Sequence, residues 1–96
     1  MVIVTVKSTP KSEFKSEFIK EFNKVAASVH KEEGCIEYGI FQKDHESSEF
    51  FIFERWESQE ALDAHLKTTH MTEYFTRTEN WFDSEKELKI YQVISA

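Results

Sequence analysis

The sequence predicts an α+β domain, one antiparallel sheet covered by helices, with elements in the order βαββαβ. Three observations predict it. Runs rich in β-branched or aromatic residues occur at Val2 to Val6, Cys35 to Gln42, Phe50 to Glu57 and Leu88 to Ile94. Between the first two lies a stretch with an apolar residue at every fourth position, and between the last two a capped stretch of helical period. That order is the ferredoxin-like, split βαβ arrangement. A chain of 96 residues has room for one core, so 1–96 is read as one domain.

Each element has a local reason. Val2-Ile3-Val4-Thr5-Val6 suits a strand because branched side chains pack well on a pleated surface. Ser8, Thr9 and Pro10 end it, with Thr9 suited to an N-cap and Pro10 to the first helical position. The near-repeat "KSEFKSEFIKEF" then sets Phe14, Phe18 and Phe22 along one helix face, and Val25, Ala26 and Val29 extend the stripe toward the core. Gly34 is placed to close this helix in a left-handed conformation. "CIEYGIFQ" and "FFIFERWE" form a hairpin across the polar loop "KDHESSE". Ser58 caps a helix from Gln59 to about Lys67, and "TTH" bends or breaks it before a second helical piece that runs to about Asn80. Leu88, Ile90 and Ile94 alternate with Lys89, Tyr91 and Val93 in the last strand.

One feature does not suit a monomer. Phe50 and Ile52 point to one face of the third strand and Phe51 and Phe53 to the other. The second strand repeats this, with Ile36, Tyr38 and Ile40 against Cys35 and Phe41. Helices cover one face only, so a homodimer packed sheet to sheet is expected.

Composition removes several classes of function. A net charge of −6 argues against a nucleic-acid backbone as partner. No apolar run approaches the roughly 20 residues of a membrane span, and the N-terminal run lacks the basic flank of a signal peptide. Cys35 is the single cysteine, which excludes an internal disulfide and suits a cytoplasmic location. Gly34 and Gly39 are the only glycines, too few for a phosphate-binding loop.

His65 and His70 are five apart, roughly 140° around one helix, so on a continuous helix they would not share a face. They lack the spacing of a zinc protease, His30 and His45 are expected in solvent, and no metal site is read. Cys35 is read as a packed thiol. His65 follows Ala61, Leu62 and Ala64, whose small side chains would leave space beside it. A neutral imidazole facing such a space is suited to general-base work; a purely structural histidine is the other reading. Glu54 stands in an apolar strand and needs a partner, a histidine, a substrate, the backbone or another charge.

"EEGCIEY" (Glu32 to Tyr38), "FERWES" (Phe53 to Ser58) and "EALDAHLKTTHM" (Glu60 to Met71), in this order, resemble the antibiotic biosynthesis monooxygenase (ABM) family, and within it the small quinol monooxygenases. The resemblance implies a dimeric α+β barrel with a pocket between the sheet and the second helical segment. It implies oxidation of a small electron-rich aromatic, such as a quinol, by O2 without metal or flavin. His65 would be the base and His70 a second polar contact or proton shuttle. Tyr38, Glu54 and Trp56 would meet the substrate. Haem-degrading relatives carry an asparagine on the first strand, a tryptophan at the position of His65 and a ligating histidine near Phe75. This chain has none of these. Two other readings of the same pocket are a non-catalytic dimeric module that binds a hydrophobic small molecule, and an isomerase of a small carbonyl or autoinducer-type compound.

Overall fold

The computed structural model describes residues 1–95; Ala96, the last residue of the expected domain, lies outside them. Strands β1 (Val2–Ser8), β2 (Cys35–Gln42), β3 (Phe50–Trp56) and β4 (Glu87–Gln92) form one antiparallel sheet in the order β2-β3-β1-β4. Helices α1 (Lys15–Val29), α2 (Gln59–Leu66) and α3 (Thr69–Thr78) complete the ferredoxin-like arrangement. Alternation decides which side chains meet the helices. Val2, Val4 and Val6 of β1 and Phe50, Ile52 and Trp56 of β3 are buried in one core with Phe18, Phe22, Val25 and Val29 of α1. Leu62 of α2 and Met71 and Tyr74 of α3 close that core.

Several local expectations are corrected. Thr9 and Pro10 do not cap a helix: Pro10 bridges to Phe82, and helical structure begins at Ser12 with a short 3-10 turn ahead of α1. Tertiary bonds hold that segment out, Lys11 N to Trp81 O at 2.7 Å and Asp83 N to Thr9 O at 3.0 Å. Phe14, in the 3-10 turn, leaves the core stripe and stacks on Trp81 with centroids 5.2 Å apart. In β2 the register slips between Cys35 and Glu37, so Cys35 packs against the core and Ile36 is exposed. Ile94 lies outside β4, which ends at Gln92.

The break at "TTH" has a definite cause. Thr68 accepts from Met71 N as the N-cap of α3, and its hydroxyl donates to His65 O at 2.8 Å. Ser58 caps α2 in the same way, accepting from Ala61 N at 3.1 Å.

Gly34 is not the residue that ends α1, which stops at Val29 four turn residues earlier. It has φ +86°, and a Cβ there would lie 2.5 Å from Ala61 Cβ. The turn before β2 thereby presses against α2. Gly34→Ala is expected to lower unfolding free energy by about 2 kcal/mol or more, from the left-handed backbone and the overlap together. In urea melts, adding Ala61→Gly should restore the part due to overlap and leave the backbone part. Wild-type stability in Gly34→Ala would refute this account.

Candidate active site

Glu54 lies on β3 at the middle of the sheet, with Val4 of β1 and Tyr38 of β2 as its cross-strand neighbours. It therefore points into the space between sheet and helices, where α2 and α3 stand off enough to leave a cavity of ≈ 110 Å³. That is of the order that receives one aromatic ring, since a dry cavity of about 150 Å³ binds benzene. Its wall is mostly apolar, and Tyr38, Glu54 and His65 supply polar atoms at one end.

His65 is 1 % exposed. Its ring packs on Trp56, centroids 4.5 Å apart, and meets Tyr38 edge-on at 5.6 Å. Tyr38 in turn stacks on Phe22 of α1. The expected space beside His65 does not come from the alanines, because Ala64 is exposed and Ala61 faces Gly34. Trp56 lies behind His65 and does not line the cavity, and neither does His70. Trp56 acts on the site through its indole, which donates from Nε1 to Glu54 Oε1 at 3.0 Å.

The residue missed among the candidates is Glu32. His65 Nδ1 lies 3.0 Å from its Oε2, and His70 Nε2 lies 2.7 Å from the same oxygen. A carboxylate only accepts, so both nitrogens carry the protons and donate. His65 Nε2 is then left with its lone pair, 3.9 Å from Glu54 Oε1. The break between α2 and α3 brings the two histidines together, although on a continuous helix they would diverge. Glu32 was visible only as part of the "EEG" turn; no periodicity marked it. His30 is exposed, as expected, and its ring Nε2 also lies 2.9 Å from Tyr38 O of β2.

Burial sets the protonation of the group. Loss of solvent pushes Glu54 up to about 7, against the donated Trp56 bond, with the Glu32 charge adding to the rise. Desolvation lowers His65, opposed by its bond to Glu32, and desolvation also raises the Tyr38 hydroxyl.

The sequence pattern of the antibiotic biosynthesis monooxygenase family matches residues 1–77. The chain belongs to that family. "Probable quinol monooxygenase YgiN" of Escherichia coli K12 is 31% identical to it over 76% of this chain and 78% of that protein. A conserved protein from Methanosarcina mazei Go1 is 31% identical, with a TM-score of 0.89 over 95% of this chain and 90% of that one. Rv0793 from Mycobacterium tuberculosis, at 20% identity, shares the fold with a TM-score of 0.90 over 99% and 96% of the two chains. The matched residues include β1, β2, β3 and α2, which carry Tyr38, Glu54 and His65, whereas Lys86, Leu88 and Ile90 of the cavity wall lie beyond them.

Glu54 links this ABM site to stability. Its folded pKa of about 7 stands above the ordinary 4.5, so the folded state holds more protons between those values. Its contribution is fully present below about pH 4.5, declines as pH rises to about 7, and is flat above. Glu54→Gln, which cannot ionise, should therefore gain on the wild type across that window by up to about 3 kcal/mol. Paired urea melts between pH 4.5 and 8 measure the difference; a difference independent of pH would contradict a buried, proton-holding Glu54.

Proposed function

We propose that this chain is a cofactor-independent monooxygenase that oxidises a small electron-rich aromatic, such as a quinol, with O2. The observation that carries this reading is the orientation of His65. Its Nδ1–H is held by Glu32, so the unprotonated Nε2 is available beside Glu54 at the cavity wall. The ABM family and the name of the quinol monooxygenase relative support the reaction class.

The chemistry asks little of the protein. His65 Nε2 takes a hydroxyl proton from the quinol, and the resulting anion passes one electron to O2. The radical pair joins in a carbon–oxygen bond, the O–O bond breaks, and one oxygen leaves as water. Quinol and O2 give hydroxyquinone and water, with atoms and electrons balanced. Glu54, whose carboxyl burial raises to about 7, hands a proton to the departing oxygen. The apolar wall holds the ring and keeps bulk water from the anion. Glu32 orients His65, and His70, half-exposed, donates to the same carboxylate and helps hold it in place.

The site is read as working in a homodimer. The sheet face away from the helices leaves Phe41 50 % exposed, with Phe51 and Tyr91 also open. The same face carries the Arg55–Glu37 ion pair at 2.9 Å, so it presents both signs of charge and can match a second copy of itself. Light scattering should give a dimer at micromolar concentration, and Phe51→Lys should shift it to monomer. A well-folded wild-type monomer would remove this part of the reading.

Because the His65 ring is packed between Trp56 and Tyr38, truncation to alanine would leave a hole, and His65→Gln is the better variant. Its turnover of a quinol should fall by about 10² to 10⁴. Glu32→Gln should fall substantially and His70→Ala least. The wild-type rate should rise with pH through an apparent value below about 6.5, since burial lowers His65. An oxygen electrode with chelator present reads all four proteins. No O2 uptake across a panel of quinols and anthrones, with binding retained, would favour a non-catalytic module; near-normal turnover by His65→Gln would discard the base.

A further inference from the structure

The cavity has a second polar end that the proposed reaction does not use. Ser8 closes β1, is 2 % exposed and lines the cavity. Its Oγ is the buried side-chain polar atom with no hydrogen-bond partner among the described residues. Buried hydroxyls are ordinarily paired, so this one has hydrogen-bonding capacity left for a group held in the cavity.

Lys86 lies at the same end of the sheet. Lys7 pairs with Glu87 at the end of the β1–β4 ladder, and Ser8 and Lys86 are the next residue of each chain segment beyond that pair. Lys86 also lines the cavity, at its mouth beside Phe75 and Leu88. Its amine stands 4.4 Å over the Phe82 ring and 5.6 Å from the Phe75 ring centroid. No carboxylate of the described residues lies within 4.0 Å of it, although Glu79, Asp83 and Glu85 belong to the same surface region. Ring faces hold a cation by its charge but leave its three N–H donors without strong acceptors. The platform is fixed: Phe82 bridges to Pro10 and packs edge-on against Phe18 at 5.4 Å.

We propose that Ser8 and Lys86 form an anion subsite that takes a carboxylate borne by the aromatic substrate, at the end of the cavity remote from His65. The placement of the hydroxyl at His65 rests on the function proposed above; the anion subsite rests on Ser8 and Lys86 alone. One ammonium and one hydroxyl match a single negative charge, whereas a phosphate dianion would remain half-neutralised in an otherwise apolar wall. The length of the substrate follows from the sheet. Glu54 pairs with Val4, and Ser8 lies four residues further along β1, roughly 13 Å at strand rise. The acid therefore sits on an arm across the ring from the hydroxyl, not ortho to it.

Calorimetric binding tests this without turnover. The probes are para-hydroxyphenylpropionate, its neutral amide, and ortho-hydroxybenzoate. The wild type should bind the propionate roughly ten- to a hundredfold more tightly than the amide, the range for a hydrogen bond to a charged group. It should bind ortho-hydroxybenzoate no better than the amide. Lys86→Met and Lys86→Gln should lose the preference for the acid while keeping the amide affinity, Lys86→Arg should retain it, and Ser8→Ala should reduce it. Melting temperatures accompany each variant, and Lys86 is exposed enough on its outer side that its variants should fold. Equal binding of acid and amide by the wild type, binding of neither, or a preference that survives in Lys86→Met and Lys86→Gln overturns the subsite. Oxygen uptake is measured separately, so a protein that binds the acid through Lys86 but consumes no O2 would retain the subsite and lose the oxidase reading.

Discussion

Glu32 sits in the turn that leaves α1 and accepts hydrogen bonds from His65 on α2 and His70 on α3. The rest of the site depends on that carboxylate being where it is. Its backbone is held by Glu32 N to Val29 O at 3.0 Å and Cys35 N to Glu32 O at 3.2 Å. Glu57 N, at the end of β3, bonds Gly34 O at 2.8 Å and ties the same turn to the start of α2. Gly34 has no side chain to hold Ala61 away, so the turn and the helix approach closely enough for the two ring nitrogens to share one acceptor. A half-satisfied polar cluster in such a place would cost more than an apolar one, and here each ring has its partner.

The cavity next to this cluster is shaped by one physical effect acting on four groups. Desolvation raises Glu54, Tyr38 and Tyr74 and lowers His65, so in every case the neutral form gains. A cavity whose own groups tend to neutrality imposes little field on an uncharged quinol. In the proposed reaction the phenolate would stand close to a histidine cation in a weakly screening environment, where their attraction is large. Lys86 shifts in the same sense, its amine pulled below the ordinary lysine range by burial, but it stands at the mouth over two rings. Polar character is therefore concentrated at the two ends, with Ile52, Val6 and Met71 between them.

The two faces of β3 serve different purposes. Phe50, Ile52, Glu54 and Trp56 point to the helices and carry both the core and the site. Phe51, Phe53 and Arg55 point away, beside Phe41 of β2 and Ile3 of β1. Such two-sided patterning is ordinary for a sheet covered on both faces and unusual for one open to water on one side. It also explains how a short chain with a marginal core could gain further burial.

Element order, the α1 stripe from Phe18 to Val29, the Ser58 cap and the alternation of β3 were all determined by the sequence alone. Each depends on neighbours within a few positions, where period and capping chemistry act directly. His65 and Glu54 stood out as candidates for a related reason, since a polar group in an apolar pattern is visible locally; Tyr38 entered only through the family resemblance. The cluster around Glu32 was decided only by tertiary structure. Its members are 33 and 38 residues apart, and the meeting of His65 and His70 depends on where Thr68 turns the chain. Trp56 was moved from the cavity wall to the support behind His65 by packing, and Cys35 was exchanged for Ile36 by a one-residue slip in β2. Ser8 and Lys86 were brought to one cavity only by the docking of β4 beside β1. Sequence spacing governs which face a residue takes, but contacts across the fold are set by how whole elements dock, and no local pattern encodes that.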